Sequence, residues 1–121
     1  VRGAAYAHVH ERDLRARQAR LEEMADQARE DLLECRLEVA EDAMALSDVI
    51  ASAREQVARH PMRESSTLIL MRALMAAGRS PEATQAFDDL TAGLSSQGFA
   101  PSASATALVE ECRGSRDMAA T

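Results

Sequence analysis

Ala77-Gly78-Arg79-Ser80-Pro81-Glu82-Ala83 is the stretch on which the fold turns. Gly78 follows a run rich in Leu and Met, and is placed to end a helix in the left-handed conformation that other residues adopt at a steric cost. Ser80 can cap the next helix, with Pro81 at the first helical position, where a missing N–H is no loss. The heptapeptide therefore predicts helix, tight turn, helix. Backwards from it, a helix over Met62 to Ala77 should bury Leu68, Met71, Leu74 and Met75. Forwards, Ala83, Phe87, Leu90 and Leu94 form the apolar stripe of the next helix, which Gly98 should end, with Phe99 folding back over the cap.

Further out the same signals recur. Ser102, just after Pro101, should cap a last helix with Leu108, Val109 and Cys112 facing inward, and residues 115–121 read as a flexible tail. Upstream, Glu11 to Met44 holds neither Gly nor Pro and predicts one long helix. One apolar row runs Leu14, Leu21, Met24, Ala25, Ala28, Leu32, Cys35, Val39, and a second runs Leu33, Leu37, Ala40, Met44. Two rows call for neighbours on two sides. Ser47 and Asp48 should open a further helix whose face is Val49, Ile50, Ala53 and Val57, and Pro61 should stop it near His60. The fold class is thus all-α, a stack of five antiparallel helices joined by short turns. The pair around Gly78 resembles one repeat unit of the tetratricopeptide type, which implies a right-handed stack.

The composition agrees. A chain of 121 residues with 46% hydrophobic residues has the size of one domain, and only Tyr6, Phe87 and Phe99 are aromatic, so Leu, Met, Val and Ala must fill the core. A formal net charge of −6 would be repelled by a phosphate backbone, which argues against unaided nucleic-acid binding. Two cysteines, Cys35 and Cys112, do not make a disulfide framework and read as reduced, buried thiols. No apolar run is long enough to cross a bilayer, so no membrane partner and a cytoplasmic location are expected. The start at Val1 suggests a piece of a longer protein.

The ordered series His60-Pro61-Met62-Arg63-Glu64, Leu70-Met71, Ala73-Leu74, Ala77-Gly78-Arg79, Glu82-Ala83, Phe87, Leu90 and Gly98-Phe99-Ala100-Pro101-Ser102 resembles the bacterial transcriptional activator domain. This is the tetratricopeptide-like module that follows a winged-helix DNA-binding domain in actinobacterial antibiotic-pathway regulators. Arg2-Gly3-Ala4-Ala5-Tyr6-Ala7 and Ala19-Arg20-Leu21-Glu22-Glu23 resemble the opening of its long helix. The resemblance implies a domain over residues 1–114 that lacks the family's first helix and its winged helix. It also implies an interaction and oligomerisation role that reaches DNA only through the missing N-terminal domain. Thr67 and Met75 stand where the family usually has Trp and Tyr, and Asp88 and Asp89 replace a usual basic pair. A few extra residues between Leu37 and Val49 imply a longer first helix.

Candidate chemistry is sparse. His8 and His10 point apart on a helix and have no partners at metal-ligand spacing, and His60 suits a helix C-terminus. No phosphate loop or activated nucleophile is present, so neither enzymatic activity, cofactor nor metal is expected. Most of the six methionines belong to the core, while Met62 and Met75 could line a concave face. Glu30, Glu34, Glu38, Glu41 and Asp42 form an acidic ridge, suited either to water or to a basic partner. With Arg79 in the Gly78 turn, these seven side chains are the candidate partner-binding residues. The expected partner is a protein: a second copy, another domain of the same regulator or the transcription machinery. The alternatives are a free-standing adaptor for a peptide segment and a helical domain that senses a small ligand.

Overall fold

The computed structural model describes residues 2–120, with side chains for residues 8–114. Its regular structure is helical throughout: α1 Arg2–Val39, α2 Ala43–Arg59, α3 Glu64–Ala76, α4 Ser80–Ser96 and α5 Ala103–Ala120. The chain forms two compact units, residues 1–32 and 33–121. The first is the N-terminal part of α1. The second holds the last turns of α1 and the other four helices.

The second unit is built around α3, which packs against α2, α4 and α5. Ser66, Thr67, Ile69, Leu70, Met71, Ala73 and Leu74 of α3 are all buried, so this helix is enclosed on more than one side rather than amphipathic. Around it lie Val49, Ile50 and Ala53 of α2, Ala83 of α4, Val109 and Cys112 of α5, and Leu33 from the end of α1. Leu37, Val57, Ala86, Phe87 and Leu108 close the margins. The stripes expected for α2, α4 and α5 are the ones observed. For α3 the expected stripe is too narrow: Leu68 and Met75 are only half-buried, and the deepest residues include Ile69, Leu70 and Ala73.

Both glycine turns form as the sequence predicts. Gly78 has φ 73° and Gly98 φ 81°. At the first, Arg79 N–H donates to Leu74 C=O at 2.8 Å and Gly78 N–H to Met75 C=O at 3.0 Å. At the second, Phe99 N–H donates to Leu94 C=O at 2.8 Å and Gly98 N–H to Ser95 C=O at 3.0 Å. This paired pattern satisfies the last carbonyls of α3 and α4. Phe99 does not fold back over its cap: it is 67% exposed. At the start of α4, Ser80 is already helical and Arg79 occupies the capping position, one residue earlier than expected.

The long first helix differs most from expectation. It ends at Val39, and the extra residues open α2 instead, because Asp42 caps it by accepting the Ala45 N–H at 2.7 Å. The break shifts the helical phase, so Met44 no longer continues the row of Leu33 and Leu37 and is exposed. The other apolar row is exposed too: Leu14, Leu21, Met24, Leu32 and Val39 all face solvent. Met24 and Met44 therefore do not fill the core, whereas Met71 does. Cys35 is an exposed free thiol, contrary to the expected burial, and Cys112 is a buried one. The expected tail at 115–121 falls outside the residues whose side chains are described.

The same substitution should act with opposite sign at two glycines. An added Cβ would meet nothing within 4 Å at Gly78 or Gly114, so backbone conformation alone decides. Gly78→Ala, at positive φ, should lower the unfolding free energy by about 1 kcal/mol, and Gly114→Ala, within α5, should raise it by about 0.5 kcal/mol. Urea denaturation of the two variants measures both; the same sign at the two positions would contradict the assignment of Gly78 to the cap.

Candidate functional site

Two depressions flank α3. The more apolar is a groove of about 240 Å³ walled by Arg54, Val57 and Ala58 of α2, Pro61 of the following turn, Thr67 and Leu70 of α3, and Ala86, Asp89 and Leu90 of α4. Its position follows from the packing: α2 and α4 both lie against α3, and the channel between them runs over Thr67 and Leu70. Thr67 and Asp89 are two of the four residues at which the chain departs from the pattern it resembles. Where a large ring is usual, the buried Thr67 leaves room, and Asp89 puts a carboxylate at the rim opposite the Arg54 guanidinium. Asp88 is exposed, and Met75 packs against the core instead of lining this groove.

The second depression, about 370 Å³, lies at the start of α2 and the end of α3. Glu41, Asp42, Ala43, Leu46, Ser47, Ile50, Ala76, Ala77 and Arg79 line it. Three predicted partner-binding residues, Glu41, Asp42 and Arg79, thus meet at one place. Two of them already have structural work. Asp42 caps α2, and Arg79 grips Glu82 with two parallel bonds, Nε to Oε1 at 2.8 Å and Nη2 to Oε2 at 2.6 Å. Arg54 Nη2 donates to the same carboxylate at 2.7 Å, tying α2 to the first turn of α4. The hydrogen bond from Arg79, more than the neighbouring positive charges, holds the Glu82 carboxyl below the usual carboxylate range; the same bond raises the Arg79 guanidinium.

The remaining candidates separate. Glu34 and Glu38 are exposed on α1, but Glu30 is buried, only 2% exposed, so the expected ridge is interrupted at its first member. The helical period explains this: Glu30 is three residues before Leu33 and on the same side of the helix as that core residue. Met62 is partly exposed and its sulfur lies over Gly93 of α4, where an added Cβ would come within 3.3 Å of it. Met75 is half-buried among core residues. His8 and His10 are exposed, and among the described residues no group of three or more His, Cys, Asp and Glu is placed to hold a metal ion. No helix among the described residues is long and apolar enough to cross a membrane.

The first residue of α3 has a role that sequence spacing did not reveal. Glu64 Oε1 accepts the Ser102 backbone N–H at 2.9 Å and the Ser102 hydroxyl at 2.6 Å. Ser102 Oγ in turn accepts the Ala105 N–H at 3.3 Å, so the predicted cap of α5 is itself held by the first residue of α3. On the far side, Cys112 Sγ donates to the Ser80 carbonyl at 3.2 Å and lies 3.5 Å from Thr84 Oγ1, fastening α5 to the start of α4. These partners are separated by 38, 32 and 28 residues in the chain, too far for any local pattern to announce them.

Helices packed around one enclosed helix, with open grooves and charged rims at the surface, define an all-helical scaffold. The description of the bacterial transcriptional activator domain matches residues 2–113, and the chain belongs to that family. It is accordingly a domain associated with transcription activators. No curated protein and no solved structure matches the chain.

Removing Glu64 should uncouple the α5 cap from α3. Glu64→Ala and Ser102→Ala should each lower stability by about 1 to 2 kcal/mol, and the double variant should cost about 1 kcal/mol less than their sum. A double-mutant cycle by urea denaturation measures the coupling; strict additivity would mean that the bonds contribute nothing.

Proposed function

We propose that this chain is the protein-interaction and oligomerisation module of a transcription activator, with no catalytic activity and no cofactor. Its partners are proteins: a second copy, other domains of the same regulator or the transcription machinery. DNA is reached only through a separate DNA-binding domain of the regulator, and the module works in the cytoplasm, where bacterial transcription takes place. Residues 1–114 form the functional domain.

The observation that carries this reading is the family match over residues 2–113, and the surface chemistry supports it. All fourteen basic residues are Arg, but they are outnumbered by twenty acids, and the net charge of −6 opposes a phosphate backbone. The exposed acids Glu34, Glu38, Glu41 and Asp42, with the groove over Thr67, offer surfaces for a partner carrying basic and apolar side chains.

Two linked measurements test the proposal. The chain alone should leave the mobility of duplex DNA unchanged at about 0.15 M salt. Fused to an unrelated DNA-binding domain, it should change transcription from a promoter bearing that domain's site several-fold relative to the domain alone. Saturable DNA binding by the chain, or a folded fusion that leaves transcription unchanged, would contradict it.

A further inference from the structure

Within residues 1–32, α1 carries an apolar row that the chain itself leaves uncovered. Leu21, Met24 and Leu32 are 65%, 61% and 59% exposed, and Ala28, between them, is exposed as well. At spacings of three, four and four residues they share one face of the helix. Asp26 and Glu30, on the other side, are buried. Exposed apolar rows of this kind mark association surfaces.

Charge is divided unequally along the same helix. Arg12, Arg15, Arg17 and Arg20 outnumber Glu11 and Asp13 in its first half, and Glu22, Glu23, Asp26, Glu30 and Asp31 outnumber Arg29 and Arg36 in its second. We propose that two copies of this chain associate through this face of α1 in antiparallel orientation, with Leu21 of each copy against Leu32 of the other. This rests on the interaction and oligomerisation reading above and names its partner and register.

The pattern is self-complementary under a two-fold axis, as an isologous contact requires. Setting Met24 opposite the partner's Ala28 brings Leu21 opposite the partner's Leu32, to within one residue of the same register. A large side chain then faces a small one at the centre, and leucines pair at both ends. In this register Arg20 flanks the partner's Asp31 and Glu22 flanks the partner's Arg29, and the axis repeats each pair. The intrachain bonds of these residues, Arg29 to Asp26 at 3.1 Å, Gln27 to Asp31 at 2.9 Å and Gln18 to Glu22 at 3.5 Å, are short-range contacts along the helix that leave Glu22, Arg29 and Asp31 exposed at its surface. A parallel, in-register pair would instead lay arginines beside arginines and acids beside acids. Charge therefore selects the antiparallel pair.

Sedimentation equilibrium of the 121-residue chain, from about 1 to 100 µM, tests this, with circular dichroism confirming helical content in every variant. The unaltered chain should dimerise in that range. Leu21→Glu, at an exposed position, should weaken association at least 10-fold, an effect of about 1.4 kcal/mol. Arg20→Glu and Asp31→Arg should each weaken it, and R20E/D31R together should restore it, because the swapped charges again face each other. A monomer throughout the range overturns the proposal, as does a dimer indifferent to Leu21→Glu or a double swap no tighter than its single variants. A monomeric chain that still changes transcription in the fusion assay overturns the dimer and the oligomerisation part of the proposed function, and leaves its protein-interaction part standing.

Discussion

Enclosure of α3 is the constraint on which the second unit depends. A helix of thirteen residues with seven of them buried has almost no surface to give to a partner. It serves instead as the post against which α2, α4 and α5 are placed. Close packing makes such a post stiff: each buried side chain touches several others, and removing a few methylenes leaves a cavity that neighbours only partly fill. The glycine turn at Gly78 reverses the chain directly after α3, and Glu64 at its other end holds the cap of α5. Both ends of the central helix thus fix the start of another helix.

With the centre committed to packing, the open surface lies at the periphery. The two depressions differ in what they can offer. Around Arg79, the charges are already engaged by Glu82 and Arg54, and Asp42 is occupied as a cap, so these residues stabilise the turn they sit in. In the groove between α2 and α4, a small buried Thr67 and an acidic Asp89 stand where the pattern that the chain resembles has a ring and a basic charge.

How much of this was legible in the sequence depends on the range of the interactions. Both glycine caps, the stop at Pro61, the Ser102 cap and the stripes of α2, α4 and α5 are consequences of residues within a turn of one another, and all are present. Contacts across 28 to 38 residues, Glu64 with Ser102, Arg54 with Glu82 and Cys112 with Ser80, left no local trace. The first helix shows a different limit. Periodicity marks which residues share a face, but not whether that face is covered, so the row of Leu21, Met24 and Leu32 read as core although it lies open. The acidic ridge failed in the opposite sense, since Glu30 shares a side of the helix with Leu33 and is buried. Asp42 was overlooked because Ser47 and Asp48 offered an equally good cap five residues on, and only the spatial end of α1 decides between them.

Native-state hydrogen exchange resolved by segment tests the central role of α3 most directly. If α3 is the post of the unit, the amides of Ile69 to Leu74 should be the slowest in the chain and should exchange only through global unfolding, with opening free energies equal to the stability measured in urea. Exchange of those amides through a smaller opening, or faster than the amides of α2 and α5, would contradict it.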